Sequence, residues 1–158
     1  MKVQNVGFRF LVLMVLSGGL LVWAGCEGRP SLIPVSDPDL KRTSAQFAAD
    51  AAKRTYPASA PHGGDAEAMA DVDHGISKRI QLENLSSESW SGVELWVNEK
   101  YVVSLPQWPS KTLKKVNFSM LYDRDGQSFP TSNKNVHVDK LEMLMNGKLY
   151  NVPKRLAD

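Results

Sequence analysis

The chain has one cysteine, Cys26, and none in the 132 residues that follow it. Cysteine-ligated zinc, iron–sulfur clusters, thiol nucleophiles and internal disulfides are therefore excluded downstream of that position. An excess of one charge is also lacking, since 19 basic residues stand against 17 acidic ones for a net of +2. A chain so balanced offers no strong field to nucleic acid or to an acidic substrate. The common catalytic signatures are missing as well. There is no Gly-x-Ser-x-Gly elbow, no P-loop and no His-Glu-x-x-His, so the hydrolase and NTPase routes that depend on them find no support. Long apolar runs are short too. The longest unbroken one, Phe10–Leu16, meets Ser17-Gly18-Gly19 before Leu20–Ala24 resumes, against the roughly 20 residues of a spanning helix.

What is present begins with residues 1–26. Lys2 and Arg9 precede the apolar stretch, and Ala24-Gly25-Cys26 closes it. A charged start, a greasy middle and small residues before a cut are the three parts of a secretory signal. With the sole cysteine directly after Ala24-Gly25, the segment resembles the signal of bacterial lipoproteins, with Trp23-Ala24-Gly25-Cys26 as the lipobox. The family usually has Leu, Val or Ile where Trp23 stands. The resemblance implies cleavage between Gly25 and Cys26, and diacylglycerol on the Cys26 sulfur. It also implies attachment to a cell membrane through that lipid. Glu27 is not the aspartate that retains such proteins at the inner membrane, so the outer membrane is expected where there is one. The alternative is an uncleaved membrane anchor, and both readings export the remainder.

Removal of residues 1–25 leaves 133 residues, enough for one small domain with a tail. Residues 26–71 read as a stalk. Pro30, Pro34, Pro38, Pro57 and Pro61 are spread along it, with a helix near 38–55. Asp37 suits the N-cap, Pro38 the first helical position and Asp39 the positive end of the dipole, and Pro57 stops the helix. Leu40, Phe47 and Ala51 form a thin apolar face. Pro61-His62-Gly63-Gly64 reads as a hinge, and Asp65–Ala70 adds one helical turn. As a flexible chain, the segment from Glu27 to Gly75 would average about 35–42 Å end to end.

From Val72 to Asp158 the pattern is β. Ile76–Glu83 alternates with Ile76, Ile80 and Leu82 on one face, and Val93, Leu95 and Val97 form the next row. Asn98-Glu99 reverses the chain into Tyr101–Leu105. Thr112–Leu121 places Val116, Phe118 and Met120 inward, and Val136–Met145 carries a bulge near Lys140. Asn146-Gly147 is a two-residue hairpin turn, followed by Lys148–Val152. About six short strands at this spacing predict a mainly β chain, a small antiparallel β-sandwich. The run Leu82–Ser86 followed by Trp90, Val93, Leu95 and Val97 is similar to the first hairpin of small bacterial Ig-like or fibronectin-III-like domains.

Candidate chemistry is sparse. His62 and His74 lie near Asp65, Asp71 and Asp73, and His137 stands between Val136 and Val138. A metal set of Asp71, Asp73 and His74 is conceivable, but on a flexible segment its ligands would not be held. A solvated turn, and an exposed strand histidine at His137, are the plainer readings. Asp123-Arg124-Asp125-Gly126 opens like a calcium loop, but its glycine comes too early and Pro130 follows with no acid in reach. It is expected to be a turn with Gly126 left-handed. Trp96, Trp108 and Tyr101 remain. Exposed together, they would be a stacking platform for sugars or an anchor for a protein. Buried, Trp90 and Trp108 cap the two ends of the sandwich and Trp96 covers an edge.

The expectation is a lipid-anchored envelope protein, not an enzyme, with no cofactor or metal. Its β-sandwich would be a non-catalytic binding or scaffold module. Its partners would be the membrane, through Cys26, and an envelope protein or polysaccharide, with no nucleic acid. The alternative is a carbohydrate-binding module using Trp96 and Trp108.

Overall fold

A computed structural model describes residues 37–133 and 135–155, within one compact unit, Val35–Asp158. The expected signal, Gly25 and Cys26 lie outside the described residues. Eight strands among the described residues are β1 (His62–Asp65), β2 (Ala68–Asp73), β3 (Arg79–Asn84), β4 (Trp90–Val97), β5 (Tyr101–Trp108), β6 (Leu113–Asn117), β7 (Leu141–Met145) and β8 (Lys148–Asn151). They form a five-stranded sheet, β1-β8-β7-β4-β5, and a three-stranded sheet, β2-β3-β6. The chain is mainly β, a small β-sandwich as expected. With β2, β3 and β6 as strands A, B and E, and β4, β7 and β8 as C, F and G, the division is that of an immunoglobulin-like sandwich. The sandwich is not wholly antiparallel, however, because β1 runs parallel to β8.

The core follows the period of two. Val93, Leu95 and Val97 of β4 are buried with Val103, Leu105 and Met143, against Ile80, Leu82 and Val116 of the other sheet. Sheet strands bury alternate residues because successive β-carbons point to opposite faces. Both predicted reversals take left-handed backbone. Asn98 and Glu99 have φ of 52° and 59°, and Asn146 and Gly147 have 52° and 72°. Asn98 also locks its turn to the next segment, accepting from the Asp139 and Lys140 amides at 2.9 and 3.1 Å.

Several expectations change at strand ends. Ile76 is fully exposed rather than aligned with Ile80, because Lys78 at φ 42° breaks the strand ahead of it. β6 stops at Asn117 and a 3-10 turn, Phe118–Met120, follows, so Phe118 is buried while Met120 is only partly so. β7 begins at Leu141; the phase change near Lys140 is a strand start, not a bulge.

The largest difference lies before residue 72. Residues 37–71 are not a stalk but an arm folded onto the sandwich. The expected single helix divides into a 3-10 turn, Pro38–Leu40, and α1, Ser44–Ala51. Asp37 caps the first, accepting from the Asp39 amide at 3.0 Å. Thr43 and Gln46 cap the second reciprocally, a capping box the sequence contains. Leu40 and Phe47 join the main core. Ala51 packs with Trp96 and Val102 on the outer face of the five-stranded sheet, under Tyr56 and Leu144. The expected hinge is β1, and the expected helical turn at Asp65–Ala70 opens β2.

Polar contacts pin this arm. Arg42 donates to Asp50 and to the Ser104 carbonyl, both at 3.1 Å. Arg54 binds Asp50 at 2.9 Å and pairs with Glu94, which also accepts from the Trp96 indole at 3.2 Å. Tyr56 donates to the buried Glu142 at 2.7 Å, and burial together with that carboxylate pushes its hydroxyl up to about 12. Lys114, buried on the inner row of β6, is neutralised by Asp37 and Asp39. A buried charge persists only with such partners.

Candidate functional site

The three aromatic candidates are all buried. Trp108 is 0 % exposed, Trp96 2 % and Tyr101 9 %, so no stacking face is offered and the sugar-platform geometry is not formed. Trp96 does point away from Val93, Leu95 and Val97, but the arm covers it. Trp90 and Trp108 do not cap opposite ends. They face each other across β4 and β5 at one end, edge to face at 5.3 Å, while Tyr101 packs on Phe129 at 5.1 Å. Asp123-Arg124-Asp125-Gly126 is the expected turn. Asp123 accepts from the Asp125 and Gln127 amides at 3.0 and 2.8 Å, and Gly126 has φ 76°. His62 is exposed on β1.

Sequence reasoning did not bring His74 and His137 together, 63 positions apart. The fold does. His74 sits on the β2–β3 tip, where Asp73 accepts from the Gly75 amide at 2.8 Å and turns the chain. His137 lies on the segment entering β7. Their rings meet edge to face at 5.1 Å, and His74 also leans on Phe118 at 5.4 Å. Phe118 in turn contacts Phe129 at 4.9 Å. No sequence signal pointed to this meeting, which depends on where the fold places the β2–β3 tip and the segment before β7.

Between the tip and residues 131–133, 136 and 137 lies a cleft of about 370 Å³. His74 and Lys78 form one wall, Phe118 and Phe129 the floor, and Thr131, Ser132, Asn133, Val136 and His137 the other wall. Lys78 reaches across it, donating to the Thr131 carbonyl at 3.1 Å. Among the described residues no carboxylate lines it. Partial burial lowers the His74 pKa, and the neighbouring His137 lowers it further, against the opposing pull of Asp73 and Asp139. At neutral pH His74 is therefore a neutral imidazole, with one N–H to donate and one nitrogen to accept.

A second cleft, about 400 Å³, is acidic, with Asp65, Glu67 and Glu88 beside Trp90 and Tyr150. A third, about 230 Å³, lies over Arg54, Tyr56 and Trp96. Among the described residues no three His, Cys, Asp or Glu side chains are grouped to hold a metal ion, so Asp71, Asp73 and His74 do not assemble as ligands. Among the same residues no helix is long and apolar enough to cross a membrane. No protein-family model, no curated protein and no solved structure matches this chain.

Proposed function

We propose that the chain is a lipoprotein of the bacterial cell envelope, held by lipid on Cys26, whose β-sandwich binds rather than catalyses. The observation that carries this reading is the placement of the sole cysteine directly after Ala24-Gly25, at the end of a charged-then-apolar leader. The β-sandwich would be tethered to the membrane through that cysteine. Its partners are envelope components: lipid, a neighbouring protein or a polysaccharide.

Mass spectrometry of the protein from native-host membranes tests the anchor. The expected species starts at Cys26 and carries diacylglycerol on sulfur. Intact residues 1–25, or a free thiol at Cys26, would overturn the reading and leave the uncleaved anchor in its place.

A further inference from the structure

We propose that the cleft between the β2–β3 tip and residues 131–133, 136 and 137 is a receptor for a phosphate ester. Among the described residues, every ionisable side chain lining it is a base, Lys78, His74 and His137, and the hydroxyls of Thr131 and Ser132 add neutral donors. These groups come from separate segments and approach from different sides. A tetrahedral oxyanion, whose oxygens diverge, is served by donors so arranged, and hydrogen bonds from charged donors to it are the strong kind. A flat carboxylate would use fewer of them. The space, about 370 Å³, leaves room beyond the phosphate for its ester substituent, and Phe118 offers that substituent an apolar floor.

The charges around the cleft set a pH dependence. His74 faces His137 and Lys154, which disfavour its protonation, and Asp73 and Asp139, which favour it; Lys78 lies on the same wall. A bound phosphate adds negative charge next to His74 and so favours its cationic form.

Ile76 suggests where the phosphate could come from. It is fully exposed at the same tip, two residues from His74 and two from Lys78. Removing an isoleucine from water is favourable, and a bilayer interface beside a lipid headgroup would do so. A headgroup source rests on the lipid-anchored reading above; the phosphate site itself does not.

The test uses the whole protein purified from membranes in neutral detergent and titrated with inorganic phosphate, following the imidazole NMR signals of both histidines. Both should shift saturably, and the His74 titration midpoint should rise when phosphate is bound. His74→Gln and Lys78→Met should each weaken binding about tenfold with an unchanged unfolding midpoint, since both side chains are exposed. No shift in either ring, or an equal shift with chloride at matched ionic strength, would overturn the proposal. Bilayer discs of phosphatidylcholine with and without phosphatidylglycerol then separate the sources. Ring shifts that need phosphatidylglycerol and weaken in Ile76→Ser assign the lipid headgroup. Shifts with soluble glycerol phosphate but not with discs assign a free ester. A missing acyl chain in the same sample would remove the anchor while leaving the detergent titration valid.

Discussion

The N-terminal arm, residues 37–73, and the strand-rich body that it wraps are held by different physics. The body is fastened by apolar rows: Val93, Leu95 and Val97 against Ile80, Leu82 and Val116. The arm contributes few large apolar groups, Leu40 and Phe47 chief among them, and is otherwise fixed by charge and backbone. Arg42, Asp50, Arg54 and Glu94 form one chain of ion pairs, Asp37 and Asp39 meet Lys114, and β1 and β2 extend the two sheets. Hydrophobic burial is non-directional and tolerant, whereas ion pairs and strand pairing need a particular partner in place. The arm should therefore be the part whose attachment depends on single residues.

Truncation of apolar anchors probes that contrast most strongly. Leu95→Ala in the body is expected to cost about 2–5 kcal/mol and Phe47→Ala in the arm about 3–5 kcal/mol, read from urea unfolding. Equal slopes with both midpoints lowered would make arm and body one cooperative unit. A loss below about 1 kcal/mol at Phe47 would instead make the arm an accessory that peels away first.

Next comes the charge that the arm neutralises. Asp37→Asn with Asp39→Asn keeps the cap acceptor but strands the Lys114 ammonium, whose side chain is only 5 % exposed. The expected loss is about 1–3 kcal/mol, and Lys114→Met in the same background should recover most of it, since an apolar replacement of a buried ion group is often neutral or better. Failure of Lys114→Met to recover stability would show that the loss does not come from the stranded ammonium.

The same contrast explains what could be read in the sequence. The β4 row, the reversals at Asn98-Glu99 and Asn146-Gly147 and the Asp123 turn are local patterns, and all stand where the sequence placed them. β1 was invisible because His62-Gly63-Gly64-Asp65 has no apolar alternation; its strand character comes from backbone pairing to β8. Lys114 sits on an apolar row, a pattern break that becomes intelligible only with Asp37 beside it. Trp96 was rightly directed outward, but a helix distant in sequence covers it. The outward row Glu94 and Trp96 was the one hint that this face is covered. The histidine cleft is likewise a product of topology. His74 and His137 belong to different sheets' ends, and no spacing rule joins them.

An effect of similar size is expected where the arm's backbone meets the body. A β-carbon at Gly63 would overlap the Tyr150 ring, so Gly63→Ala should cost about 1–3 kcal/mol by overpacking. Hydrogen exchange sharpens this. The β1 amides should lose protection while those of β4 keep theirs, because only the edge pairing is disturbed. Gly63→Ala with Tyr150→Ala should restore part of the loss, and no restoration would mean that the strain arises from backbone rather than from the ring.

The smallest expected effect is a dependence on acid. Burial alone would raise the Asp50 carboxyl, but hydrogen bonds from Arg54 and Arg42, and their charges, outweigh it and hold the group below its ordinary value. A carboxyl with a depressed folded pKa adds stability that is complete above its unfolded value, about 3.9, and is lost as pH falls through the folded one. The Asp50 side chain is 24 % exposed, so solvent screens the pairs and the contribution is on the order of 1 kcal/mol or less. Asp50→Asn should therefore be less stable than the parent at neutral pH, with the gap closing as pH falls below about 4. Parallel curves across that range would mean that the arm is not held by this carboxylate, and would shift its attachment onto Phe47 and the strand pairing.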